Sequence, residues 1–299
     1  MATAMTKQPA VDLREPRSWR SAKSRIMTVL MVIAFVIVIV PLGFVLYTVI
    51  SRGASAISGR FLTGDIPFNV APVTVGGIGP AVVGTLLITA LATVVAVPIG
   101  ILAAIYINEY GGNSLLTRII RFMADVMTGV PSIIMGLFIF SIWVIHFGFS
   151  GLAGAFALGC LMLPIVIRSS EEMLKLVPDP LREASYALGA SKARVTATVV
   201  LPAALSGITS GALLAVARIA GETAPLLFTI LGGLSTTNAN VFSGANTALP
   251  LLIFSNASSP YTGAQGRAWG AALTLIVIAL IMLVVARLVT GRVAARSSR

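Results

Sequence analysis

Cysteine, histidine and carboxylate are almost missing from this chain of 299 residues. Cys160 is the one cysteine, His146 the one histidine, and Asp and Glu together number 10. A single thiol builds no disulfide framework, and single copies of Cys and His assemble no Cys- or His-based metal centre. No nucleophile–base pair and no dyad of catalytic carboxylates stands out, so hydrolytic or covalent chemistry is unsupported. Lysine is scarce too. None of Lys7, Lys23, Lys175 and Lys192 follows a glycine, which excludes a phosphate-cradling G-x-x-x-x-G-K-[ST] loop. Charged residues make up 10% of the chain, against about a quarter in soluble domains.

What fills the space is apolar. Hydrophobic residues are 57% of the chain and mean hydropathy is +0.97. Apolar runs of about 20 residues recur along its length, each able to cross a roughly 30 Å hydrocarbon core. They are continuous rather than alternating, which disfavours a membrane β-barrel. The expected fold is an all-α polytopic membrane protein of about six spans, near 26–50, 80–107, 119–143, 149–167, 201–231 and 268–289. Basic tails at 1–25 and 290–299 flank this domain of residues 26–289. Ile26–Ile50 is longer than the apolar core of a signal peptide and has no A-x-A-like site after it, so it reads as an uncleaved first span.

Net charge is +11, but the bases lie in loops and tails rather than on one face that could bind nucleic acid. With six spans, 17 of the 21 Lys and Arg fall on the side of both termini. Only Arg52, Arg60 and Arg267 lie opposite, and Arg218 is within a span. The positive-inside rule puts both termini and the loop 168–198 in the cytoplasm of a multi-pass membrane protein.

That loop carries the longest charged stretch. Asp179 is placed to cap a helix beginning at Pro180. Leu181, Ala184, Ser185 and Leu188 share one face, with Arg182, Glu183 and Tyr186 outward, and Gly189 ends the helix. Ser191 is placed to cap a second helix toward Pro202. This patterning alone fits either a projecting knob or an amphipathic loop on the lipid surface. The run Glu183-Ala184-Ser185-x3-Gly189-x9-Val199-x-Leu201-Pro202 resembles the EAA loop of bacterial ABC importer permeases, with Ser185 for Ala and Val199 for Ile. The resemblance implies that Glu183, Ala184, Ser185 and Gly189 contact a separate ATP-binding subunit. It also implies the MetI-like (type I) ABC importer permease fold.

Beyond Pro202 the fifth span holds Arg218 and Glu222. A charge near the bilayer centre costs roughly 3 kcal/mol on insertion scales. Four residues apart on a helix, the two share a face and can pair; Pro225 leaves the Gly221 carbonyl free nearby. Two readings stay open: an ion pair that fixes helix packing, or a substrate path in which Arg218 attracts an anion. Elsewhere, Asp125 is placed to pair with Arg121, while Glu171 and Glu172 read as solvated charges. His146 has no second ligand near it, and Trp143, Tyr261 and Trp269 read as interfacial belt residues.

Arg218 to Thr229, RIAGETAPLLFT, closely resembles the signature of the A-type permease subunits of Pst phosphate importers. Ile105–Tyr110, Gly129–Phe138 and the stretch from Leu249 to Trp269 agree with it, and the likeness covers roughly residues 25–290. It implies a permease and not an enzyme, with no cofactor in this chain and ATP and Mg bound by the partner ATPase. The implied partners are a dimer of ATP-binding subunits, a second homologous permease of the C type and an extracytoplasmic phosphate-binding protein. Alternatives are the same machine for another anion or an organic solute, an ion-coupled secondary transporter, and a membrane scaffold. A secondary transporter should carry intramembrane acids in corresponding repeat halves; only the fifth span is so equipped.

Overall fold

The computed structural model describes residues 19–67, 75–233 and 235–297. Part of the N-terminal tail, and of the loop after the first span, lies outside these residues. Among them the chain is helical, with no strand beyond one isolated bridge between Leu231 and Asn246. Contacts divide the chain into two units at Thr48. The first unit holds most of α1 (Trp19–Gly53). Its large apolar side chains from Ile26 to Leu46 are all exposed, and a helix apolar all round belongs in a membrane.

The second unit begins with a short helix, α2 (Gly59–Thr63), capped by Ser58, whose hydroxyl accepts from the Phe61 N–H at 3.1 Å. α3 (Gly79–Ile105) starts with Pro80 in its first turn, where the missing donor is not needed. It does not stop near Ile107, where the second span was expected to end. It widens into a π-turn, Tyr106–Tyr110, that keeps Ile107 and Glu109 buried.

The third apolar run is not one straight helix. α4 (Leu115–Gly129) and the stretch from α5 (Ser132–Ile139) to α6 (Ile145–Phe147) meet at 108°. Pro131 disfavours helical geometry at Val130, which is extended at φ −74° and ψ 126°. A second π-turn, Phe140–Val144, joins α5 to α6.

α7 (Gly151–Lys175) runs back antiparallel, longer at its far end than the expected span. α8 (Asp179–Ala187) and α9 (Lys192–Val195) form the knob, and a third π-turn, Thr196–Val200, leads into α10 (Leu201–Ile219). The fifth span therefore ends twelve residues short of Leu231. α11 (Ala224–Thr229) follows after a break, then α12 (Leu249–Ala257) and α13 (Thr262–Ser297). Among the described residues five helices are long and apolar enough to cross a membrane, or six when the bent pair counts as one.

Packing in the second unit forms three levels. Away from the knob, Phe61, Ile78 and Ala81 meet Leu249, Leu252 and Ala271. In the middle, Ile88, Ala92 and Ala96 of α3 meet Ala155, Leu158 and Met162 of α7 and Ala215 and Ile219 of α10. Beside the knob, Ala104, Leu174, Val195, Val200 and Ile208 close the bundle.

Lipid chains are as apolar as leucine, so close van der Waals approach through small residues holds such helices together. The Thr85 hydroxyl donates to the Ala81 carbonyl at 2.8 Å and accepts the Leu249 N–H at 2.7 Å, tying α12 to α3. Immediately before Thr85, Gly84 faces the Thr247 carbonyl so closely that a Cβ would overlap it. Gly84→Ala is expected to lower the unfolding midpoint in detergent by about 5 °C, from an overpacking cost of roughly 1–3 kcal/mol. Gly59→Ala, which meets nothing within 4 Å, is the control.

Candidate functional site

The two helix breaks meet. A cavity of 330 Å³ is lined by Met127 to Ser132 at the α4–α5 bend, by Leu161, Pro164 and Ile165 of α7, and by Arg218, Ile219 and Glu222. α10 ends at Ile219. Ala220 and Gly221 turn, with the Gly221 N–H bonded to the Arg218 carbonyl at 3.2 Å and the Glu222 N–H to the Ile219 carbonyl at 3.0 Å. α11 then starts afresh with Pro225 in its first turn. Arg218 is exposed toward the cavity and Glu222 half-buried.

The Arg218–Glu222 ion pair, one of the two readings the spacing left open, is not among the ion pairs of the described residues. A four-residue spacing aligns side chains only on an unbroken helix, and this helix unwinds between them. Both residues nevertheless border the same cavity. At the bend, Pro131 and Ser132, where α5 begins, line it as well.

On the knob side of the cavity, charge is organised around a residue the sequence reading treated as solvated. Glu171 is 1% exposed and accepts from Arg121 at 2.9 Å, Arg168 at 3.3 Å and Lys175 at 2.7 Å. Arg168 also pairs with Asp125. Arg121 thus belongs to Glu171 and not to Asp125. Both Arg121 and Asp125 face α7, which brings a better-placed carboxylate and guanidinium than either finds on its own helix. Through this cluster α4 is held against α7 just beyond the bend. Arg168 and Lys175 lie at helical spacing from Glu171 on α7, but Arg121, fifty residues away, was not legible as its partner.

In the knob, Pro178 takes the N-cap position and Asp179 the first helical one, so Asp179 caps nothing. It pairs instead with Arg182 at 3.0 Å. Gly189 has φ +79°, the left-handed geometry its position after α8 requires, and the Gly189 N–H reaches the Tyr186 carbonyl at 2.9 Å. Ser191 stands before α9 without capping it. Leu181, Ala184, Glu183, Tyr186 and Leu188 are all exposed, Leu188 at 89%. Ser185 is half-buried and donates to the Leu181 carbonyl at 2.9 Å.

Arg182 points inward rather than outward. Its side chain is 14% exposed and bonds Glu109, Asp179 and the carbonyls of Leu174 and Val177. Glu109, buried at the end of α3, lies just past the expected span 80–107; a lone carboxylate closing an apolar run was the signal available.

On the opposite side Trp269 lies under the Arg52 guanidinium at 5.3 Å, and Trp143 packs edge-on against Phe156. His146 is exposed, and among the described residues no three metal-ligating side chains gather.

Glu171→Ala is expected to cost about 1–3 kcal/mol, since three cations lose their shared partner yet still reach water. Lys175→Ala should cost under about 1 kcal/mol, because Arg121 and Arg168 still hold the carboxylate. Unfolding midpoints in detergent check the ordering.

Three comparisons agree with this architecture. The profile of the family described as binding-protein-dependent transport system inner membrane component matches residues 96–295. A phosphate transport system permease protein PstA 1 of Mycobacterium tuberculosis (strain CDC 1551 / Oshkosh) is 44% identical over 266 residues, spanning 87% of this chain and 86% of the relative. The PstA of Yersinia pestis is 42% identical over 281 residues, spanning 93% and 94%. Among solved structures, a bacterial alginate ABC transporter in complex with its periplasmic protein superposes with a TM-score of 0.64 at 15% identity, over 93% of this chain and 99% of that one. The MetNI methionine ABC transporter gives 0.54 at 19% identity, over 72% and 94%. At those identities the two structures establish the fold. With the profile and the sequence relatives, they place this chain in the family of binding-protein-dependent transport system inner membrane components, as a multi-pass permease subunit of the PstA type.

Proposed function

We propose that the chain forms half of the translocation path of an ATP-driven importer of inorganic phosphate. The observation that carries this reading is the cavity where two broken helices meet, with Arg218 on its wall. Within a bilayer, irregular backbone and a guanidinium are tolerated where they line a water-filled path. Arg218 offers a fixed fork of donors that suits a tetrahedral oxyanion. The start of α5 at Ser132 adds the positive end of a helix dipole. Glu222 keeps the empty path near neutral and limits how long an anion is held. Relatives at 44% and 42% identity carry phosphate transport in their names, which supports that anion over others.

The second half of the path comes from a homologous permease, and the substrate arrives on an extracytoplasmic phosphate-binding protein. The exposed face of α8 docks on a dimer of separate ATP-binding subunits, which hold ATP and Mg. The bases beside the knob put it, and both termini, on the cytoplasmic side of the bacterial plasma membrane. Closure of the ATPases would pull the knob and shift the cavity between outward- and inward-open states. Such a shift requires different affinity for the two states, which a loaded binding protein docking outside supplies.

In a strain lacking its own copy, Arg218→Gln is expected to abolish uptake of labelled phosphate while the ATP-binding subunit still co-purifies. Normal uptake by that variant would sink the proposed role. Gly189→Arg forces a side chain into left-handed backbone at the docking face, and it should lose the ATP-binding subunit in the same pull-down.

A further inference from the structure

The knob is joined by covalent chain to α7 and α10. A third connection, made by side chains, runs to α3. α8 buries none of its residues, so it does not pack onto the bundle as an apolar helix would. Arg182 holds it there. One guanidinium nitrogen bonds the Glu109 carboxylate at 3.1 Å and the Leu174 carbonyl at 3.0 Å. The other bonds the Val177 carbonyl at 2.5 Å and Asp179 at 3.0 Å.

Glu109 has a side chain only 4% exposed and is further fixed by the Asn108 amide, which donates to it at 2.7 Å. The neighbouring Tyr110 ring receives the Lys192 ammonium of α9 at 5.4 Å. Both arms of the knob thus end on adjacent residues of one π-turn. Such turns interrupt the regular helix ladder and recur at functional sites.

From this turn a packed route leads to the cavity. Ile107, two residues before Glu109, is buried against Ala124 of α4 and Ile167 of α7. Ala124 lies one turn before the stretch Met127 to Val130 that walls the cavity. We propose that the Arg182–Glu109 pair is a transmission link: movement of the knob displaces the π-turn of α3, and through Ile107 and α4 it opens or closes the cavity wall. Arg182 and Glu109 act here as positioning residues. A fork of donors on a buried carboxylate is suited to this, being directional and little screened by salt. The inference rests on the reading of the knob as the ATPase contact.

Spatial contiguity alone does not establish coupling, so the test measures it. The whole importer (this chain, its partner permease and the ATP-binding subunits) is reconstituted in liposomes with the binding protein, and phosphate imported per ATP hydrolysed is recorded. Glu109→Gln keeps the size of the side chain and an acceptor for Arg182 but removes the charge. It should assemble with the ATP-binding subunits as wild type does, with import per ATP reduced about fivefold or more. Arg182→Gln should show a similar loss, and the double variant no more than either single one, because both remove the same link.

A merely structural role would lower the yield or melting temperature of the complex and leave the ratio unchanged. An unchanged ratio in Glu109→Gln overturns the inference. So do losses that multiply in the double variant, and loss of ATP-binding subunits in Glu109→Gln. Should Arg182→Gln fail to assemble, Glu109→Gln alone decides. A wild-type complex that imports nothing, or a wild-type chain that binds no ATP-binding subunit, defeats the importer reading itself and is seen before any variant is compared.

Discussion

Close approach of α3 and α7 is the constraint from which the other features of the bundle follow. In lipid there is no hydrophobic gain when two apolar helices meet, so they hold together by contact. Ala92 and Ala96 of α3 and Ala155 of α7 are nearly inaccessible. At Gly100 a Cβ would stand 2.8 Å from Val166. With this seam closed, the far ends of both helices carry their charged residues to the same level. Glu109 closes α3 and Glu171 lies in the last turns of α7. The knob and the bent α4 then attach at those two carboxylates.

Both carboxylates are buried and multiply paired, an arrangement whose worth lies less in stability than in specifying geometry. Removing a buried charge from water is expensive, and its partners return little more than that cost. What the pairs do provide is direction. Glu171 holds α4 at one angle to α7, and with it the bend that makes one wall of the cavity. Glu109 holds α8 at one place relative to α3. The cavity wall and the knob are therefore positioned by polar contacts at one end of the bundle, while the middle is held by small apolar residues.

The spans, the charge asymmetry and the knob were all legible in the chain, because each rests on local features: apolar length, counts of bases, and a proline–glycine frame around an amphipathic helix. Gly189 illustrates this well, since only glycine adopts φ +79° without strain. The 108° bend at Val130 and Pro131 falls inside the expected third span, 119–143, and its angle was not legible. Partner choice across helices was not legible. Local spacing favoured Arg121 and Asp125 for each other, yet both pair with α7, and Arg182 reaches Glu109 from far along the chain. The pairs of Glu171 with Arg168 and Lys175, and of Arg182 with Asp179, do follow helical spacing.

Arg218 and Glu222 mark the boundary between the two kinds of information. That two charges inside an apolar run must face protein or water follows from the cost of charge in hydrocarbon, and composition alone establishes it. Whether they face each other depends on helix continuity over four residues. That continuity is lost at Ala220, where the chain turns toward a new start at Pro225. Local chemistry thus selected the residues that matter. The tertiary fold decided which of them meet across helices, because those contacts depend on how the helices pack and not on spacing along any one of them.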